Sequence, residues 1–542
     1  MKQPCDEAVI RAGTSAVPCA DKSRRWVLVA TILGSSMAFI DSTVVNVALP
    51  ALQSSLHANV VDLQWVVESY GLFLSALILV GGALGDSFGR RAMFLLGVGV
   101  FAAASAGCGL SFSIRNLVIW RSVQGIAAAF LVPGSLAIIS ATFDEKSRGQ
   151  AIGIWSGFTA ITTALGPVLG GWLVEDASWH WVFFINLPLA ALVIAISLWR
   201  VPESRSSNAR CVDWPGVATV SIGLAGLVYG FLESATLGWG HARVLASLIV
   251  GLALLIIFLF VEKRVTAPMV PLELFKSSSF TGANLLTLFL YAALGIFFFL
   301  FPLNLIQIQR YSATATGAAA LPMILLIFSL SRWSGGLVGR YGAKTPLIVG
   351  PLVAAAGFLL FAIPSVNAKY WSTFLPSFVV LGLGMAVSVA PLTTAVMSSV
   401  EQDRAGTASG INNAVARVAG VLAVACLGAV MVAAFAHSLS ASLAGLHLEP
   451  GMMHEIRSNA AQLGGLNAPA STDATTAAII RADIAQAFVF GFRIIMLLCA
   501  GLSLASALIA SRMVGSGSDQ WHSQISDVSR FRYAMPRMSR KT

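Results

Sequence analysis

Four of the ionisable residues inside long apolar stretches of this 542-residue sequence carry the chemical argument. Asp41 opens the run Asp41-Ser42-Thr43-Val44-Val45-Asn46-Val47-Ala48-Leu49-Pro50, Glu68 follows Trp65-Val66-Val67, Arg121 follows Ile119-Trp120, and Arg417 stands between Ala416 and Val418. Ionisable groups are costly in such surroundings, so they face cavities or one another and mark ion or substrate paths. Burial favours a neutral acid, whereas a nearby cation or a water-filled cavity favours the carboxylate. Asp41 could therefore bind a proton in one conformation and release it in another, the elementary step of a proton-coupled cycle. A local role is also open, in which Asp41 hydrogen-bonds Ser42, Thr43 or Asn46 and fixes helix packing.

Glu68 and Arg121 lie equally far into their apolar stretches and are expected at similar depth, where they could pair or compete for one proton. Glu68 could instead be an interfacial residue that touches solvent. A cation beside Asp41 or Glu68 would favour the ionised acid, so Arg121 either tunes a proton-binding acid or makes a structural ion pair. Arg417 has no acid at comparable depth in the C-terminal part of the chain. It must face a cavity or a partner helix, toward Asp41 or an anionic group of a substrate, which makes Asp41 and Arg417 candidate residues of a substrate cavity.

The elements that hold these residues follow from composition. Hydrophobic residues make up 57% of the chain and charged residues 11%, against about 25% charged in a soluble domain. A membrane-crossing helix needs roughly 20 mainly apolar residues. Breaks at charged residues, Pro and Gly give fourteen spans near 26–50, 64–85, 92–111, 117–140, 152–174, 182–200, 215–235, 243–261, 280–304, 317–338, 346–364, 371–397, 407–436 and 486–511. Residues 1–25 are polar and the first apolar run is longer than a signal-peptide core of about 7 to 15 residues, so it is expected to be retained. Asp41 then lies about 13 Å from the outer end of the first span, at 1.5 Å per residue.

Basic residues resist translocation. With both termini cytoplasmic, 24 Lys and Arg fall on the inner side, 6 in outer loops and 4 inside spans, which supports that orientation and an even span count. Trp26, Trp65, Trp179, Trp181, Trp199, Trp214, Trp239 and Trp371 lie near span ends, where amphipathic rings prefer the headgroup level. The net charge of +10 is spread over short loops, unlike the clustered basic face of a nucleic-acid binder. Cys5, Cys19, Cys108, Cys211, Cys426 and Cys499 show no ligand or C-x-x-C spacing and read as free thiols.

The loop Gly82-Ala83-Leu84-Gly85-Asp86-Ser87-Phe88-Gly89-Arg90-Arg91 aligns with Gly335-Gly336-Leu337-Val338-Gly339-Arg340-Tyr341-Gly342-Ala343-Lys344 at an offset of 253 residues. The same offset superposes spans 1, 2, 4 and 5 on spans 9, 10, 12 and 13. The expected organisation is a cytoplasmic tail (1–25), a six-helix half (26–200), a linker with two inserted helices (201–279), a second six-helix half (280–511) with an outer loop at 437–485, and a cytoplasmic tail (512–542). Parallel repeats of this kind place a substrate site at the midplane and rock to expose it to each side in turn.

Residues Asp41 to Pro50 resemble the D-x-T-V-V-N-V-A-L-P signature of the fourteen-helix drug:proton antiporters of the major facilitator superfamily, the EmrB/QacA type. The resemblance extends over nearly the whole chain. Gly82 to Arg91 is similar to the superfamily's G-x-L-a-D-r-x-G-r-[RK] loop, Leu117, Arg121, Gln124 and Gly125 to its helix-4 pattern, and Gly166-Pro167-Val168-Leu169-Gly170-Gly171 to the helix-5 motif associated with antiporters. Trp179-His180-Trp181-Val182-Phe183-Phe184-Ile185-Asn186-Leu187-Pro188 is similar to a W-R-W-x-F-x-I-N-x-P element, and Asp213-Trp214-Pro215-Gly216 to the start of the inserted pair.

The resemblance implies an all-α membrane protein of the major facilitator fold, with Arg121 tuning the protonation of a membrane acid; with Asp41 and Glu68, read from their positions, it makes up the expected proton-coupling set. It implies a gate latch at Gly82, Asp86, Gly89, Arg90 and Arg91 that holds the cytoplasmic side shut in the outward-facing state, and a hinge at Gly166, Pro167, Gly170 and Gly171. A Pro inside a helix frees a carbonyl and Gly permits close packing, so the hinge could also be simple packing. Asp86 could likewise be a helix cap. Two departures stand out: Ser87 replaces an Arg of the loop motif, and His180 replaces an Arg, which makes that outer position pH-sensitive.

No G-x-x-x-x-G-K-[ST] phosphate loop is present to bind ATP, so the energy source is expected to be the proton gradient, with no cofactor. Six histidines (His57, His180, His241, His437, His447, His454) fall in outer loops at irregular spacing, and no metal site is expected. No H-E-x-x-H or paired-acid pattern suggests an intramembrane enzyme. The expected function is proton-coupled export of small amphipathic drugs or antibiotics by alternating access. The alternatives are a narrow exporter of a metabolite or siderophore, and a transporter-fold sensor. Expected partners are a small-molecule substrate, protons and membrane lipids, with an accessory export subunit possible and nucleic acid excluded. The expected location is the cell (inner) membrane.

Overall fold

In hydrocarbon an isolated segment must satisfy its backbone hydrogen bonds internally, which a helix does. The computed structural model describes residues 21–143, 145–205, 213–266, 268–400, 405–444, 450–469 and 472–515. Among these residues fourteen helical segments are long and apolar enough to cross a membrane, and each coincides with one of the expected spans.

The N-terminal half contains α1 (Asp21–Leu56), α2 (Val60–Phe88), α3 (Arg90–Gly109), α4 (Ile114–Thr142), α5 (Glu145–Asp176), and the pair α6 (Trp181–Phe184) and α7 (Asn186–Arg200), which share the sixth span. The inserted helices are α8 (Trp214–Leu237) and α9 (Ala242–Arg264). The C-terminal half contains α10 (Ser278–Leu303), α11 (Ala313–Ala319) and α12 (Leu321–Tyr341) in one broken span, α13 (Lys344–Phe361), α14 (Leu375–Ser398), α15 (Ala405–Leu443), the short α16 (Pro450–Ser458) and α17 (Ala474–Met513).

The same packing pattern occurs twice. Helix α1 packs on α5 and α7, α2 on α4, and α3 on α4 and α7; in the second half α10 packs on α15 and α17, α12 on α14, and α13 on α14 and α17. This duplication is the spatial counterpart of the 253-residue offset. Helices α8 and α9 pack on each other, and α8 lies against the seam between α2 and α15, where the rings of Trp65 and Tyr229 are 6.3 Å apart.

The start of α1 and the end of α17 share one face, called here the terminal face. There Ser278 Oγ donates to the Met513 carbonyl at 3.1 Å, and the Gly515 amide donates to Ser279 Oγ at 3.1 Å. Toward the opposite, far face, one buried core joins both halves, with Val44, Leu52 and Val66 of the first and Phe297, Phe378 and Phe435 of the second. A separate core nearer the terminal face belongs almost wholly to the N-terminal half, with Val27, Phe94, Phe101, Ile139 and Val201. The halves are therefore joined at the far face and diverge toward the terminal face. Along that stretch Ile154, Phe158, Ile161 and Leu165 form one exposed face of α5.

Three details differ from the sequence expectation. Helix α1 runs through Pro50 to Leu56, which places Asp41 roughly 22 Å from its far end, at 1.5 Å per residue. Helices α15 and α17 are longer than expected, because residues 437–443 and 474–485 contain neither Pro nor Gly, the residues that most strongly break a helix. Asp473 caps α17 by accepting from the Thr475 and Thr476 amides at 3.1 and 3.0 Å, bonds that hold its carboxyl below the usual range. The loop between α15 and α17 is thus shorter, and it carries α16 and a tight turn at Ala460–Gly465. Trp181, Trp199, Trp214, Trp239 and Trp371 are exposed as membrane anchors would be, but Trp179 is buried.

Candidate functional site

Helix packing in the N-terminal half brings five polar residues from four helices into one sealed cluster. Asp41 on α1 has no exposed surface, and Arg121 on α4 is 1% exposed. Arg121 Nη1 donates to Asp41 Oδ2 at 2.5 Å and to Gln124 Oε1 at 2.7 Å, while its Nε donates to the Val66 carbonyl of α2 at 3.1 Å. Gln124 Nε2 donates to Asp41 Oδ1 and to Ser105 Oγ of α3, both at 2.8 Å. Asn186, the first residue of α7, donates to Asp41 Oδ1 at 3.3 Å. The Arg121 guanidinium also lies 4.3 Å from the Tyr70 ring centroid, a cation–π distance.

Such a pair is a carboxylate and a guanidinium with every strong partner inside the protein. Its physical meaning is conditional stability. Removing either charge leaves the other buried and uncompensated, so protonation of Asp41 would loosen the contacts of α1, α3, α4 and α7 together. The local alternative for Asp41 is not what holds it: Ser42 and Thr43 donate to carbonyls of their own helix, and Asn46 to the Ser42 carbonyl. The expectation that Asp41 lines a substrate cavity does not hold in this conformation, because Arg121, Gln124 and Asn186 enclose it.

Glu68 is placed differently from the expected pairing with Arg121. It is 1% exposed and its Oε2 has no hydrogen-bond partner among the described residues. One turn away on the same helical face, Gln64 Nε2 donates to the Val424 carbonyl of α15 at 2.8 Å, and Gly71 lies against Val421 of α15. Glu68 therefore belongs to the seam between the halves. Arg417 lies on the same side of α15, one turn before Val421, and is half-buried. It is close enough to Tyr70 to interact electrostatically, and it makes no ion pair among the described residues.

The far face is closed by small residues. A Cβ at Gly166 would meet Thr43 of α1, one at Gly170 would meet Val44, and one at Gly171 would strike the Ala313 carbonyl of α11. Reciprocally, a Cβ at Gly317 of α11 would strike the Pro167 carbonyl. Helix α5 is continuous through Pro167, so this motif acts here as a close-contact surface, toward α1 at Gly166 and Gly170 and toward α11 of the second half at Gly171. Glu175 Oε2 adds a hydrogen bond from the Thr314 amide at 3.1 Å. Gln307 Nε2 of the second half donates to Gln53 Oε1 of the first at 2.7 Å, and Gln53 Nε2 donates to the Gln462 carbonyl at 3.0 Å.

The loop between α2 and α3 is docked within its own half. Gly89 has φ +114°, a conformation that favours glycine, and a Cβ there would press on the Glu203 carboxylate. Glu203 accepts from the Arg91 and Ala92 amides, both at 3.0 Å, and Arg91 Nη1 donates to the Val201 carbonyl at 2.9 Å. The Arg90 amide donates to the Ser204 carbonyl at 2.9 Å, and Gly82 lies near Pro133 of α4. The side chain of Asp86 lies outside the described residues. A latch between halves at this face is therefore not what these contacts form; they anchor the loop to the end of α7, as suits a state in which the terminal face is open.

The sequence profile of the Major Facilitator Superfamily matches residues 31–424. The chain belongs to the major facilitator superfamily. Among curated relatives of this major facilitator protein, the multidrug resistance protein Stp of Mycobacterium tuberculosis is 34% identical over 438 residues, covering 80% of this chain and 81% of the relative. The tetracenomycin C resistance and export protein of Streptomyces glaucescens is 34% identical over 425 residues, with 78% of each chain covered. The puromycin resistance protein pur8 of Streptomyces alboniger is 32% identical, covering 81% of this chain and 88% of the relative. The fold matches the inward-facing, unoccupied structure of a bacterial homolog to the human lysosomal transporter Spinster, with TM-score 0.62 at 16% identity over 92% of this chain and all of that one.

Within this major facilitator chain, sequence reasoning identified Asp41 and Arg121 but not the assembly around them. Gln124 and Asn186 were visible only as motif positions, and Ser105 and Glu203 carried no signal beyond being polar near a helix end or within an apolar run. His180 stacks on Trp179 with centroids 3.7 Å apart, and its Nδ1 is 2.7 Å from Ser178 Oγ. Burial pushes its pKa down from the ordinary value, so it is read as neutral at physiological pH.

Proposed function

We propose that this chain is a proton-driven exporter of small amphipathic drugs or antibiotics, with both termini in the cytoplasm and the far face outside the cell membrane. The observation that carries the reading is the sealed Asp41–Arg121 pair, whose helix α1 also packs against α10 of the second half. Relatives named for multidrug, tetracenomycin C and puromycin resistance support the substrate class. The basic bias of the inner loops supports the orientation.

In this reading the structure is the inward-facing state. Glu68, buried without a cation, is held as the neutral acid, while Asp41 pairs with Arg121. On the inner side Glu68 gives up its proton to Asp41 or water, and when the far face opens by parting α2 from α15 the resulting carboxylate takes up a proton from the outer solution. Closure returns the neutral Glu68 to the seam, and loss of any proton from Asp41 to the inner solution restores the Arg121 pair. Arg417, on the α15 side of the seam, is the cation that receives the Glu68 carboxylate, or an anionic group of the substrate, as the seam rearranges.

The test is proton movement in inverted vesicles with a preformed gradient, challenged with lipophilic cations and neutral antibiotics. Wild type should discharge the gradient when compound is added, and Asp41→Asn should not. Equal discharge by the two proteins would remove Asp41 from the coupling path.

A further inference from the structure

The far face carries a cavity of about 930 Å³ that the coupling mechanism does not use, within the range of roughly 300–1,000 Å³ typical of small-molecule sites. It is assembled from three parts of the chain. The first half contributes Gln53 and His57, the second half Gln307, Arg310, Asn367 and Arg481, and the segment between α15 and α17 closes it with residues around Gln462. No acidic residue lines it, and neither Arg310 nor Arg481 makes an ion pair among the described residues.

The backbone around the cavity is held in a conformation that side-chain-bearing residues rarely adopt. Among the described residues the non-glycine positions with positive φ are His57 (50°), Arg310 (61°), Asn367 (61°) and Leu463 (52°). The first three line the cavity, and Leu463 sits between Gln462 and Gly464, which also line it. Leu463 is fully buried and so anchors its turn. Such conformations persist where the surroundings over-determine them, and they cluster at ligand clamps.

We propose that this cavity binds an organic anion, a carboxylate or a phosphate ester, and that its occupancy holds the far face closed. Arg310 and Arg481, both exposed, place two guanidinium groups on the lining of one cavity, and an anion bound there would supply their counter-charge. Guanidinium forks match carboxylate and phosphate oxygens two at a time, and the amides of Gln53, Gln307 and Asn367 add neutral donors. Because the lining spans both halves, the site exists only while the Gln307–Gln53 contact is made. A ligand that binds this state and not the open one stabilises it by mass action and acts as a brake on transport. The anion has two possible sources: a soluble molecule of the outer solution, or the headgroup of an anionic lipid at the far face.

The experiment uses the purified full chain and needs no transport, so its outcome is independent of the proton-coupling reading. Spin labels at Phe112 and Trp371, exposed positions of different halves, report the far-face distance, and thermal melting reports binding. In neutral detergent, citrate and glycerol 3-phosphate should each raise the melting midpoint and narrow the distance distribution to its short component, relative to chloride at the same ionic strength. Arg310→Gln and Arg481→Gln should each weaken this response about tenfold, the scale of one charge-assisted hydrogen bond. Should the Gln variants fold poorly, the matching Arg→Lys variants retain charge without the fork and should respond at intermediate strength. Nanodiscs of neutral lipid, compared with discs containing phosphatidylglycerol, separate the sources: closure by phosphatidylglycerol without added anion identifies a headgroup, and closure only on adding citrate identifies a soluble ligand. The proposal is overturned if neither anion nor phosphatidylglycerol moves the melt or the distance beyond chloride, or if the Arg variants respond as wild type does.

Discussion

Asp41 and Arg121 neutralise each other where neither meets water, and this fixes what substitution should do. Asp41→Asn leaves a buried guanidinium uncompensated, at a cost of about 3–5 kcal/mol. Its melting midpoint in detergent should fall, and the double change Asp41→Asn with Arg121→Met should recover most of that loss without restoring proton discharge. An Asp41→Asn protein as stable as wild type would show that the pair is not the structural clamp described. Glu68 is expected to behave in the opposite way. A neutral Glu68 is mimicked by Gln, so Glu68→Gln should keep stability within about 1 kcal/mol, the range of mild substitutions, while losing compound-driven proton discharge. A large loss of stability would mean that Glu68 is charged in this state.

At the scale of elements, closure rests on how closely α5 approaches α1 and α11. Glycines at 166, 170, 171 and 317 let carbonyls of one helix meet the surface of the next, the small-residue packing that membrane helices use in place of a hydrophobic driving force. Gly317→Leu places a side chain against the Pro167 carbonyl, and overpacking of this kind costs roughly 1–3 kcal/mol. That penalty falls on the far-face-closed state alone. A cysteine at Ala48, fully buried here, should therefore react with a membrane-impermeant thiol reagent from the far face about tenfold faster in the Gly317→Leu background, since 1.4 kcal/mol is a factor of ten. An unchanged rate would locate the closure elsewhere, at the Gln53, Gln307 and Gln462 contacts.

For the whole molecule, the even number of candidate spans among the described residues, fourteen, puts the start of α1 and the end of α17 on one face, and the seam between two similarly packed halves is the surface that must rearrange during transport. Protease-cleavable tags fused at the two ends should be removed together from inverted vesicles and be protected together in right-side-out cells. Cleavage of the two tags from opposite sides would require an odd number of spans and would undo the pairing of the halves.

Much of this was legible in the sequence. Span number, the internal repeat and the intramembrane positions of Asp41, Glu68, Arg121 and Arg417 follow from local composition, because a helix in hydrocarbon needs only its own residues to satisfy its backbone. Helix ends were less legible: residues 437–443 and 474–485 are polar enough to read as loop yet contain neither Pro nor Gly, and the tight turn at Ala460–Gly465 depends on contacts with Gln53 far away in the chain. Partnership was not legible. Nothing local distinguishes Asp41, which finds Arg121 80 positions away, from Glu68, whose Oε2 finds no partner among the described residues, since both are single acids in apolar runs. The closed far face, the docking of Gly89 and Arg91 on Glu203, and the basic cavity shared by Arg310 and Arg481 likewise belong to the tertiary structure. Helices form from neighbours in sequence, whereas charge pairing and gate state depend on which helices meet, and at what height.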